Sequence, residues 1–313
     1  MSPGAKEADP LSRSSKKFDA NTRQAFLDHG IYCQSEEAPL NSTEITDMLE
    51  KRRASFSESE FNDESFKLFR RANVDADTEE AVKDHVMPII RGKAKFFFAQ
   101  DVLFGGLEKL LDGATYTGPL KAKPDFCEGV RLSEIDLRIR QKLKGYIVPS
   151  PNAPALPNLF YEYKSSDGSP QVATLQACHD GALGARGVWK LQTDGESTPI
   201  FDHKAYTITS TYCAGALMMY SVHLKKSDRF GVEYHHYPIA GYAMFGAKGQ
   251  FAQGVRAFRN ARDWADKQRR QVLKDAHARL AAENEGAGRT QSPSPAPPPP
   301  PSSRQTGASS SAS

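Results

Sequence analysis

The chain's 313 residues suffice for one large domain or two small ones, and at 39% hydrophobic and 10% aromatic they can bury a sizeable core. The formal charge of +3 hides an asymmetry: residues 36–84 hold 14 acidic and 7 basic side chains, whereas residues 85–313 carry a net +9, which suits an anionic ligand. Four cysteines (Cys33, Cys127, Cys178 and Cys213) form no CxxC pair and no zinc spacing, so no disulfide framework is implied and a reducing compartment is expected.

Residues 1–22 read as a disordered polar tail, with no apolar run that would mark a signal peptide. Residues 23–77 are a peripheral region of two or three short helices on sparse apolar anchors. A domain is expected over residues 78–285. It opens on a helix at 78–91, with Thr78 as N-cap, Glu79 and Glu80 in the first turn, and Val82, Val86 and Ile89 or Ile90 as the apolar face. A second apolar helix is expected over 97–111, then strands near 115–117 and 123–130, and a charged helix at 132–144. Four prolines between Pro149 and Pro157 lead into a strand, Leu159 to Lys164, and a turn at 168–170 leads to a helix at 172–183. Two or three longer strands follow (205–212, 217–224 and 232–244). The least polar stretch, Ala205 to Val222, is broken at Ala214-Gly215 and reads as strands and not a membrane span, so no membrane is expected. The last element is a long helix over 250–283 with 8 basic and 4 acidic residues, either a phosphate-contacting surface or a solvated face. Residues 286–313 are a Pro/Ser-rich disordered tail, whose run at Pro297–Pro301 could take an SH3 or WW module.

One pattern carries chemistry. In the strand Leu159-Phe160-Tyr161-Glu162-Tyr163-Lys164, residues two apart share a face, so Glu162 and Lys164 point one way and Tyr161 and Tyr163 the other. Adding the aspartate of Pro124-Asp125 gives two acidic metal ligands and a lysine, a minimal site for Mg²⁺-dependent (or Mn²⁺-dependent) phosphodiester cleavage. Gln176 falls on the inward face of the next helix with Val172, Leu175 and His179, where its amide could bind a water or a phosphate oxygen. Glu80, with Glu79 as the spare, would complete the metal shell. The plainer reading of Glu162 and Lys164 is an ion pair on an exposed edge strand. His235-His236 alternate faces and do not share a metal, and His179 reads as a core or rim histidine.

The ordered set Pro124-Asp125, Glu162-x-Lys164 and Gln176 resembles the core of the PD-(D/E)XK nuclease superfamily, a restriction-endonuclease-like mixed sheet flanked by helices. Pro-Asp-Phe-Cys-Glu-Gly at 124–129, Phe-Tyr-Glu-Tyr-Lys at 160–164, Gln-Ala-Cys-His at 176–179 and Tyr-His-His-Tyr-Pro-Ile at 234–239 are also similar to an uncharacterised family of fungal domains with that fold. Two departures stand out: a 37-residue gap from Asp125 to Glu162, and the absence of the tyrosine that follows the glutamine in recombination-type exonucleases, since Asp180 stands four residues past Gln176. The resemblance implies an α/β nuclease acting on DNA or RNA with Asp125, Glu162, Lys164 and Gln176 in the site. The alternative is the same fold as an inactive nucleic-acid-binding or protein-interaction scaffold. An intracellular location is expected, the nucleus ahead of the cytoplasm because Lys51-Arg52-Arg53 is a candidate import signal.

Overall fold

A computed structural model of the chain describes residues 18, 20–53, 61–93, 95–104, 122–150 and 152–290. The first elements are α1 (Ala20–Leu27), β1 (Ile31–Cys33), α2 (Ser42–Glu50) and α3 (Asp63–Asp75). A composite helix, α4, is α-helical over Glu79–Ala81 and Met87–Arg91 with a π segment, Val82–Val86, between them. Then come β2 (Phe97–Gln100), β3 (Phe126–Val130), α5 (Leu137–Lys142), α6 (Lys144–Ile147), β4 (Ala155–Lys164) and α7 (Pro170–Thr193). The chain closes with β5 (Ala205–Cys213), β6 (Ala216–Ser227), β7 (Gly231–Ala243) and α8 (Lys248–Thr290).

The strands form one mixed sheet in the order β1-β7-β6-β5-β4-β3-β2. β5, β6 and β7 are an antiparallel meander, β4 lies parallel to β5 through the α7 crossover, and β1 adds parallel to β7. Period-2 alternation splits the core into two layers. Leu159, Tyr161, Tyr163, Ile208 and Tyr212 face α2, α3, α4 and α8, meeting Ile45, Phe69, Val86 and Phe258. Cys127, Phe160 and Val222 face α7 and α1, meeting Leu175, Leu183 and Phe26. All ten residues of β4 are buried, so Glu162 and Lys164 do not lie on an exposed edge.

Helix α7 sits unusually close to the sheet. A Cβ on Gly181 would stand 2.7 Å from Thr209 Cγ2 and Val222 Cγ2, and one on Gly184 would stand 2.5 Å from Phe160 Cε2. Glycine at these positions lets the helix backbone lie against the strands.

Three expectations are corrected. Phe97–Gln100 is a strand paired with β3 and not the start of a helix, because an aromatic run packs as well across strands as along a helix; Phe98 stacks on Phe126 at 4.7 Å. The rest of that expected helix from Gly105 on, and the strand at 115–117, lie outside the described residues. The region at 23–77 contributes a strand, β1, besides its helices. Cys33 on β1 and Cys178 on α7 are joined in a disulfide with their Cα atoms 5.7 Å apart, a pairing across 145 residues that spacing cannot reveal.

Several basic residues of α8 turn inward, while Lys267, Arg270 and Lys274 stay exposed on its outer face. Arg259 Nε donates to Ile90 O (3.0 Å), Arg262 Nη1 to Arg91 O (2.7 Å), and Arg279 Nη2 to Leu191 O (2.6 Å). These carbonyls end α4 and α7, so the arginines satisfy groups that a helix C-terminus leaves without donors. Arg269, 1% exposed, donates to Glu128 O and Asp266 Oδ1. Arg53 of the candidate import signal is bound to Asp263 at 2.6 Å. The residues of both tails outside 18 and 20–290, with the polyproline run, lie outside the described residues. Among the described residues no helix is long and apolar enough to cross a membrane.

Candidate active site

The site grows from the register between β3 and β4. Phe126 lies opposite Tyr161, which brings Asp125, one residue before β3, beside Glu162. Two bonds tie the strands here: Asp125 N donates to Glu162 Oε1 (3.1 Å), and Tyr163 N donates to Asp125 Oδ2 (2.9 Å). Lys164, on the same face as Glu162, places Nζ 3.9 Å from Asp125 Oδ2 and 3.2 Å from Glu79 Oε1. The loop from β4 into α7 closes over it, and a Cβ on Gly168 would lie 2.6 Å from Lys164 Cβ.

Thr78 caps α4 as its sequence position implies, its hydroxyl accepting from Ala81 N. Of the two acids behind it, Glu79 reaches Lys164, while Glu80 is exposed and its charge acts on Lys83. Successive helical residues point about 100° apart, so only one can face the site. At the rim, Asp101 pairs with Lys83 (2.9 Å) and Lys123 (3.4 Å).

Asp180 is the residue that sequence reasoning left outside the site. It is 2% exposed on α7, and its side chain is within hydrogen-bonding reach of Glu162. Gln176 precedes it by one turn on the same stripe, half-buried, with an Oε1 that no donor reaches. The available signal was positional, since Asp180 stands one turn past the glutamine on an inward face. His179, by contrast, packs on Phe26 at 5.6 Å, and burial pulls its pKa down to about 4, so it is a neutral core histidine. His235 and His236 point to opposite faces: His236 Nε2 meets Thr209 Oγ1, and His235 stacks on His223.

Burial sets the electrostatics. It raises Asp125 to about 6 against the pull of Lys164 and the Tyr163 amide, and Asp180 to about 7 against its contact with Glu162. Burial, with Asp125 and Asp180 adding repulsion, raises Glu162 well above the carboxylate range. Burial works against the Lys164 ammonium too, but Asp125, Glu162 and Glu79 outweigh it and hold its pKa above the ordinary value. Glu162 Oε2 and Asp180 Oδ2 are buried with no donor. Two facing carboxylates cannot bond each other, so the contact holds only with one proton shared between them or a cation alongside.

The donor chemistry suits a hard divalent cation, for which Glu162 Oε2 and Asp180 Oδ2 are the free oxygens. Among the described residues Asp125 Oδ1 makes no hydrogen bond, and Oδ2 is taken by Tyr163 N and Lys164. Among the described residues, no three His, Cys, Asp or Glu side chains are already arranged around one point for a metal.

Fold and site together define a mixed α/β protein with a buried carboxyl–lysine cluster where β4 meets α7. The chain belongs to the family described as domain of unknown function (DUF7924), whose model matches residues 66–277. That span holds every residue of the cluster and leaves out α1, β1 and Cys33. No curated protein and no solved structure matches the chain at a significant level.

Proposed function

We propose that this protein is a metal-dependent phosphodiesterase of restriction-endonuclease-like fold, cleaving DNA or RNA. The observation that carries the reading is the convergence of Asp125, Glu162 and Asp180 beside Lys164 in a buried layer, with two carboxyl oxygens lacking donors. Glu162 and Asp180 would hold Mg²⁺ or Mn²⁺, with Asp125 contributing its free oxygen. Such an ion acidifies a water and draws charge from the scissile phosphate. Lys164 keeps its proton among three acids, so its role is electrostatic: it offsets charge on the phosphate and orients a water as donor. Glu79 holds the ammonium from the other side. Gln176 offers a free amide oxygen one turn from Asp180.

A second reading, a nuclease-fold module without activity, is favoured by one observation. Asp125 Oδ2 and Glu162 Oε1 both accept main-chain N–H groups, which is the work of residues that lock two strands together. Incubation with single-stranded and duplex DNA and RNA, with Mg²⁺, Mn²⁺ or EDTA, separates the two. The enzyme reading expects metal-dependent cleavage lost in Asp125→Ala and Glu162→Gln. Calorimetric titration showing that neither ion binds at millimolar concentration, with no cleavage, leaves the inactive module.

A further inference from the structure

Across the N-terminal turns of α7 from the carboxyl cluster lies a second concavity, a cavity of about 380 Å³ between α7, β1, β5 and β6. That volume falls in the range of small-ligand sites. Its polar lining includes Arg23, Gln34, Gln171 and Thr211, with Thr174 turned to Pro170 O, and no aspartate or glutamate lines it. Leu175 and Tyr220 supply apolar and aromatic wall, Tyr220 being held by stacking on His236 at 4.2 Å.

Three donors are left over here. Arg23 is exposed at the rim and makes no ion pair or hydrogen bond among the described residues. In the first turn of α7, Pro170 has no N–H, Val172 N is capped by Ser169 Oγ and Ala173 N bonds Ser169 O; Gln171 N alone has no acceptor. Thr211 is 5% exposed and lines the cavity, and its hydroxyl makes no hydrogen bond among the described residues. A guanidinium, a helix N-terminus and a hydroxyl around one space are the elements of a phosphate site. The amides of Gln34 and Gln171 beside an aromatic wall fit a planar ring with hydrogen-bonding edges.

We propose that this cavity binds a nucleoside phosphate, with the phosphate at Arg23, Gln171 N and Thr211 and the base against Tyr220. The ligand is either a free nucleotide or the phosphorylated end of a nucleic-acid strand. The inference does not depend on cleavage at Glu162, although Thr211 is the register partner of Glu162 on the neighbouring strand.

The test is titration of the full chain in EDTA with adenosine monophosphate, adenosine, inorganic phosphate, and a short oligonucleotide with and without a terminal phosphate, followed by calorimetry. The expected result is saturable one-site binding of the monophosphate or of the phosphorylated strand at or below about 1 mM. Preference between these two identifies the source. Arg23→Ala should weaken binding about tenfold or more, and Thr211→Val several-fold. Arg23 is exposed, so its variant tests the site even if Thr211→Val folds poorly. Glu162→Gln should bind as the unmutated protein does while losing any cleavage, which keeps the two sites distinguishable. No saturation for either phosphorylated ligand, inorganic phosphate binding as well as the nucleotide, or an Arg23→Ala variant that binds normally would each overturn the proposal.

Discussion

Asp180 sets its carboxyl against that of Glu162 between α7 and the sheet, and each keeps a buried oxygen that no donor reaches. The pair therefore stores a conflict that protonation or a cation relieves.

Protonation has a measurable consequence. The folded pKa values of Glu162 and Asp180 lie above ordinary carboxyl values, the latter at about 7. Between those ordinary values, roughly 4, and neutrality, the native state binds more protons than the unfolded one, so its stability falls as pH rises. The slope approaches about 1.4 kcal/mol per pH unit for each such proton. In EDTA, denaturant midpoints should decline from mildly acidic to mildly alkaline pH, and Asp180→Asn should flatten the decline and be the more stable protein at the alkaline end. An unchanged slope in Asp180→Asn would falsify the assigned contact.

Lys164 is 4% exposed and forms an ion pair with Asp125. Truncating one partner of a buried charge group typically costs about 3–5 kcal/mol. Lys164→Ala should fall in that range by urea denaturation, and pairing it with Glu162→Gln should recover part of the loss. Strict additivity in that double-mutant cycle would mean the two groups do not interact.

Gly181→Ala tests the approach of α7 to the sheet. The new methyl would meet Thr209 and Val222 side chains at 2.7 Å, so the helix must lift or the strands must shift. Overpacking of this kind costs about 1–3 kcal/mol. Any cleavage activity should fall with it, because Asp180 is the adjacent residue. A neutral melting temperature would show that the layer has slack.

The Cys33–Cys178 bond closes a loop of 145 residues. Loss of such a crosslink typically costs about 2–5 kcal/mol. Cys33→Ser, or reduction, should lower the denaturant midpoint, and Cys127→Ser should not reproduce the effect through any disulfide. Denaturing alkylation without reductant should label Cys127 and Cys213 alone; labelling of all four cysteines would exclude the bond.

Local chemistry made several elements legible. Thr78 caps its helix because a hydroxyl before two acids suits only a helix start. The period-2 order of Tyr161, Glu162, Tyr163 and Lys164 placed the charged pair on one face because a strand permits nothing else. The three strands of the meander and the long final helix followed from hydrophobic pattern and turn residues. The pattern failed at Phe97–Gln100, where an apolar run too short to show a period left helix and strand undecided.

What the sequence by itself determined is therefore a mixed α/β chain with Glu162 and Lys164 on one face of a strand, since alternation needs only local rules, while the approach of Asp125 rested on a family resemblance and on the register between two strands. Tertiary structure decided the rest, because each remaining feature joins residues far apart in the chain. It chose Glu79 over Glu80 through the rotation of α4 against β4, and recruited Asp180 by letting two glycines of α7 press against the strands. It bonded Cys33 to Cys178 by docking β1 on the far edge of the sheet, and turned Arg259, Arg262 and Arg279 of α8 onto the carbonyl ends of α4 and α7. Charge in a sequence has sign but no direction; only packing settles whether an arginine meets solvent, a ligand or the end of a helix.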